Sequence, residues 1–137
     1  MIIENLENFY RYKAFLSGIE RESLIDRCDI LLGSGNQICD RLNIPFLADY
    51  ERIYCAQDLD LGGLTIYQTL KKSLPQCQWL APPEWEPHRD KFRLPPKDAP
   101  QLAKAIQLAR TLSLTQEADV MNQTRAFLEQ EAFLPEL

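Results

Sequence analysis

The chain predicts an α/β fold: a sheet of about four mainly parallel strands flanked by helices, followed by a C-terminal helical pair. Three observations predict it. Short apolar runs rich in β-branched residues alternate with stretches of helical periodicity, the order in which parallel sheets are built. The stretch at 52–73, RIYCAQDLDLGGLTIYQTLKKS, reads as strand, acidic turn and helix in one unit. Beyond residue 100, two segments carry apolar residues at helical spacing and no strand pattern.

A length of 137 residues with 45% hydrophobic content is enough for one domain with a real core. Its expected organisation is a single domain over 1–137. The α/β core occupies 1–81, a Pro-rich connector 82–100 and the C-terminal helices 101–137.

Met1, Ile2 and Ile3 form a strand stub ending at Glu4. Asn5 can cap a helix that uses Leu6, Phe9, Tyr10, Lys13, Phe15 and Leu16 and stops at Ser17 and Gly18. Residues 19–28 are charged and read as a short helix or an irregular connection. Asp29, Ile30, Leu31 and Leu32 make a second strand, with Gly33, Ser34, Gly35 and Asn36 as its turn. Such a turn either approaches a phosphate through its backbone N–H groups or simply joins strand to helix. Ile38, Cys39 and Leu42 suggest a short helix closing before Pro45, and 46–51 is a connector.

Ile53, Tyr54 and Cys55 suit a buried central strand. Leu64, Tyr67, Leu70 and Leu74, with Ile66 beside them, repeat at helical spacing up to Pro75. Gln78, Trp79, Leu80 and Ala81 form a last strand. Six prolines between 82 and 100 argue against regular structure there. Asp98 caps a helix with Pro100 in its first turn and a buried stripe of Leu102, Ala105, Ile106, Ala109 and Leu112. A second helix carries Val120, Met121, Thr124, Phe127 and Leu128 on one face.

No apolar run is long enough to span a membrane, and no signal peptide opens the chain, so a cytoplasmic protein with no membrane partner is expected. Cys28, Cys39, Cys55 and Cys77 show no CxxC spacing, and only one His is present. Reduced, mostly buried thiols are expected rather than a zinc site. The lone His88 leaves no basis for a His-based triad, because nothing places a nucleophile beside it.

The chemistry concentrates in the acidic turn. Asp58 and Asp60 follow the strand, and Gly62 and Gly63 open the helix, where the backbone can turn tightly or approach a ligand. Ligands of parallel sheets bind beyond the carboxyl ends of the strands. Two carboxylates so close repel each other unless a cation lies between them, and magnesium prefers carboxylate oxygens while keeping several waters. The plainer reading is that both aspartates cap the helix.

The D-L-D-L-G-G run after an apolar strand resembles the DxD motif of Toprim domains, closest to the form in the topoisomerase VI A subunit and its relatives. The same kind of domain ends the JetD-type proteins of Wadjet anti-plasmid systems. The run I-E-N-L-E-N-F near the start and L-E-Q-E near the end, with Arg125 before it, are similar to theirs. The resemblance implies that Glu4, Asp58 and Asp60 together hold magnesium, with manganese as an alternative, for phosphodiester chemistry on DNA with water as the attacker. Glu129 and Glu131, expected on different faces of a helix, are secondary acidic candidates.

A net charge of −5 argues against this chain alone gripping a nucleic-acid backbone, so an additional basic domain or subunit is expected. A chain that begins one strand before its candidate site is expected to be a separated domain, or one whose DNA-binding part is encoded elsewhere or lost. Trp85, His88, Arg89, Lys91 and Arg93 make a basic and aromatic cluster. It either touches a nucleic-acid strand or partner, or packs as an ordered loop. Two further readings compete with a nuclease-like module. One is a non-catalytic module that scaffolds a DNA-binding partner. The other is a phosphatase of the haloacid dehalogenase type, which departs from this sequence at Gly62. Nothing in the residues specifies the oligomeric state.

Overall fold

The computed structural model describes residues 1–33, 35–40 and 43–136. Ser34 of the expected Gly-rich turn and Leu42 of the expected short helix lie outside the described residues, as do Arg41 and Leu137. Four parallel strands pair among the described residues: β1 (Ile2–Ile3), β2 (Leu31–Leu32), β3 (Ile53–Ala56) and β4 (Cys77–Trp79). Their spatial order is β2-β1-β3-β4. Ile2 lies opposite both Leu31 and Cys55, and Cys55 also faces Trp79, so the four strands share one register. Ile2, Ile3, Cys55 and Ala56 have no exposed surface, as central strands covered on both faces require.

Helices α1 (Leu6–Tyr10), α2 (Tyr12–Gly18), α3 (Asn43–Leu47), α4 (Leu61–Ser73), α5 (Ala99–Thr111) and α6 (Thr115–Thr124) surround the sheet. The periodicity of α4 buries Leu64, Ile66, Tyr67 and Leu70, and the helix ends one residue before Leu74. Asp98 caps α5 by accepting the Gln101 N–H at 2.8 Å. Leu102, Ala105 and Ala109 are buried as expected, whereas Ile106 and Leu112 are only half-buried. Among the described residues no helix is long and apolar enough to cross a membrane. Cys55 and Cys77 are buried, Cys28 and Cys39 half-buried, and all four are free thiols.

Several elements differ from expectation. The single helix expected over the first turns is two, broken at Arg11. This break turns the buried face to Asn8, Phe15 and Leu16, leaving Leu6 52% and Tyr10 72% exposed. Pro45 sits inside the first turn of α3 rather than beyond a helix, which is tolerated because that N–H has no intrahelical partner. Within the Pro-rich segment a 3₁₀ turn runs over Glu86–Lys91, with Pro87 in its first turn.

The largest difference is at the C-terminus. Helix α6 stops at Thr124, where Arg125 adopts a left-handed conformation with φ 54°. Phe127 and Leu128 are therefore not helical. Phe127 pairs with Leu94 and Leu128 with Leu59 in isolated antiparallel bridges. A 3₁₀ turn over Gln130–Phe133 follows, so Glu129 precedes a turn and Glu131 lies within it. Long-range pairing overrides the helical periodicity of this run.

Candidate functional site

The strand order creates the site. From β1 the chain moves to β2 on one side, and from β3 to β4 on the other, so the topology reverses between β1 and β3. A crevice at the carboxyl ends of those two strands is where parallel sheets take their ligands. Glu4 follows β1, and Asp58 and Asp60 follow β3. The Glu4 N–H donates to the Ala56 carbonyl at 3.3 Å, and the Asp58 N–H donates to Glu4 Oε2 at 3.3 Å. All three acids are half-buried.

Asp60 does cap α4: its Oδ1 accepts the Gly63 N–H at 2.7 Å. Asp58 is not a helix cap. Its Oδ1 accepts the Gln130 N–H at 2.8 Å, from the far end of the chain. Burial pushes the Asp58 carboxyl up to about 6, and the charges of Glu4, Asp60 and Glu129 add to the shift against the opposing Gln130 bond. Burial also raises Glu4, with Asp60 adding repulsion and the Asp58 N–H opposing. Asp60 is raised by burial, with the Gly63 and Gly62 N–H groups opposing.

Gln130 has only 2% exposure, and its side-chain amide donates to the Gln57 carbonyl at 2.6 Å. Its own carbonyl accepts from Asn8 Nδ2 at 2.9 Å. Gln57, just before Asp58, is fully buried, and neither side-chain amide atom has a hydrogen-bond partner among the described residues. Sequence reasoning missed Asn8, Gln57 and Gln130. The L-E-Q-E run contains Gln130, between the two glutamates that the resemblance singles out.

Those glutamates are both exposed. Glu129 is near enough to act on Asp58 by charge, while Glu131 Oε1 accepts from Asn5 Nδ2 at 2.6 Å and helps fasten α1. The basic cluster divides. Trp85 and His88 are buried, at 3% and 7% exposure, so neither is available to stack on a base. Trp85 Nε1 donates to Glu117 Oε2 at 3.1 Å, and His88 Nε2 lies 3.2 Å from Glu20 Oε2. Arg89 and Arg93 are exposed and Lys91 is half-buried. Lys91 and Arg93 line a groove of about 360 Å³ together with Glu129 and Glu131.

The donor set suits a hard cation: carboxylate oxygens only, from acids whose mutual repulsion a positive charge would relieve. Asp58 and Asp60 each engage Oδ1 in a backbone hydrogen bond, and Oδ2 of each takes part in none of these bonds. Among the described residues no three His, Cys, Asp or Glu side chains are grouped to close around a metal ion directly.

A four-stranded parallel α/β sheet with helices on its faces is consistent with a Toprim-like fold. The chain belongs to the family described as Wadjet protein JetD, C-terminal, whose model matches residues 1–136. Membership connects it with Wadjet anti-plasmid defence and implies protein partners. No curated protein and no solved structure matches the chain.

Proposed function

We propose that the chain is the magnesium-dependent, DNA phosphodiester-cleaving module of a Wadjet system, acting from the rim formed by Glu4, Asp58 and Asp60. The observation that carries this reading is the meeting of acids from two distant chain segments at the β1–β3 switch. There burial and like charge lift Asp58 to about 6. A site that must wait for a cation is expected to look like this without one.

Glu4, Asp58 and Asp60 would hold magnesium, or manganese in its place. A divalent ion there supplies charge neutralisation on the phosphate and on the leaving oxygen. The chain's own residues do the rest. Asp60 stays anchored to the start of α4 by the Gly63 N–H, and Asp58 is aimed by Gln130. Glu4, its Oε2 engaged by the Asp58 N–H, completes the rim as its third acid. Lys91 and Arg93, in the groove beside Glu129, offer cations to a backbone phosphate. With a net charge of −5, most of the DNA affinity comes from another domain or a partner subunit.

The test is cleavage of plasmid DNA by the assembled Wadjet complex with Mg²⁺ or Mn²⁺. Asp58→Ala is expected to remove at least 10²-fold of the activity without loss of assembly. Cleavage at the wild-type rate in that variant would discard the reading. A second reading, a non-catalytic scaffold for a DNA-binding partner, draws on the lack of a directly closed metal cluster among the described residues and on the acidic charge. Calorimetric titration with Mg²⁺ separates the two, because a scaffold need not bind metal at these acids.

A further inference from the structure

Three parts of Gln130 are used at once, two on the 57–58 loop and one on α1. Its N–H meets the Asp58 carboxylate at 2.8 Å, its side-chain amide meets the Gln57 carbonyl at 2.6 Å, and its carbonyl accepts from Asn8 at 2.9 Å. Gln130 and Asn8 are buried, at 2% and 0% exposure, and the bonds to Gln57 and Asn8 compete little with water, whereas the bond to Asp58 is part-buried. The neighbouring Leu128 and Leu59 exchange backbone bonds at 2.9 and 3.2 Å, which holds the 57–60 loop against the C-terminal segment. The two Gln130 bonds to this loop come in addition to the Leu59–Leu128 pair. The extra bonds converge on the residue that carries the central acid and on the one before it.

We propose that Gln130 is a positioning residue for Asp58. Its backbone N–H occupies Oδ1 and leaves Oδ2 outside that bond, while its side chain and Asn8 hold that N–H in place. This inference rests on the metal-dependent reading above. It predicts that loosening Gln130 changes how the rim binds a cation, even though Gln130 would not itself be a ligand. Groups that orient a metal's ligands typically alter affinity by about 10- to 100-fold.

The experiment uses Mn²⁺ as the probe, read by electron paramagnetic resonance without DNA, at a temperature where circular dichroism shows each variant folded. Gln130→Met keeps the volume and removes the donor to Gln57. Asn8→Leu loosens Gln130 from the opposite side, and Asn8 hydrogen-bonds to neither Gln57 nor Asp58, so it serves if Gln130→Met does not fold. Asp58→Ala marks loss of the site, and Leu102→Ala in α5 controls for lowered stability alone. The expected result is Mn²⁺ binding by the wild type, loss in Asp58→Ala, weakening by roughly 10-fold or more in Gln130→Met and Asn8→Leu, and no change in Leu102→Ala. Wild-type affinity in Gln130→Met and Asn8→Leu, with loss in Asp58→Ala, overturns the positioning role and leaves the metal-dependent reading standing. No Mn²⁺ binding by the wild type overturns that reading and this inference with it.

Discussion

Asp58 is the residue on which stability and chemistry pull in opposite directions. Its carboxyl titrates near 6 when folded, against the ordinary 3.8 when unfolded. Between those values the folded state binds the proton more readily, so stability falls as pH rises from about 4 to about 6 and stays reduced at neutral pH. Two pH units set a ceiling of about 3 kcal/mol, and partial solvent exposure brings it to on the order of 1–2 kcal/mol. Raised in the same direction, Glu4 adds to the slope. Asp58→Asn removes the charge but keeps an oxygen for the Gln130 N–H. Thermal melts at pH 8 are expected to show this variant roughly 3–8 °C above the wild type, with the gap largely closed at pH 4.5. A variant that melts below the wild type at pH 8 would show that the carboxylate is not under strain. Lost activity with gained stability is the usual mark of a site built for a ligand.

Scaled up to the element, the start of α4 explains why the two adjacent glycines are not equivalent. A Cβ on Gly63 would lie 1.9 Å from the Asp58 carbonyl oxygen, a backbone atom that cannot swing aside. On Gly62 the nearest neighbour would be Asp60 Oδ1 at an ordinary 3.6 Å. Helix α4 therefore packs its first turn directly under the acidic loop, and the missing side chain of Gly63 permits it. Chemical denaturation is expected to show Gly63→Ala destabilised by about 3 kcal/mol or more. Gly62→Ala should be neutral or more stable by up to about 1 kcal/mol, since alanine is the better helix former. Equal costs for the two would mean that the close approach is not what selects glycine at 63.

Across the whole molecule, the C-terminal segment is the strap that closes the rim. Phe133 is 4% exposed and packs its ring against Phe15 of α2 and against Trp85 and His88 of the Pro-rich segment. It thereby joins three regions that the order of the chain keeps apart. Phe133→Ala is expected to cost about 3–5 kcal/mol in denaturant unfolding, the range for a buried ring truncated to a methyl. A loss below about 1 kcal/mol would show that the strap closes the rim without this anchor. Trp85 and His88 belong to this packing, and only the arginines and Lys91 of their cluster remain for a partner.

The sequence by itself determined what local physics can carry. Alternating β-branched runs and helical periods set the α/β order, Asn5, Asp60 and Asp98 mark helix starts through their own side chains, and Pro75 follows the end of α4. The DxD turn was legible for the same reason, since its acids lie between a strand and a helix only a few residues away. Only the tertiary structure decided which residues complete the rim. Gln130 meets Asp58 across 72 positions and Asn8 across 122, and no local spacing encodes a partner at that distance. It also decided against helix at Phe127 and Leu128, because backbone pairing with Leu94 and Leu59 outweighs a periodicity worth only tenths of a kcal/mol per residue.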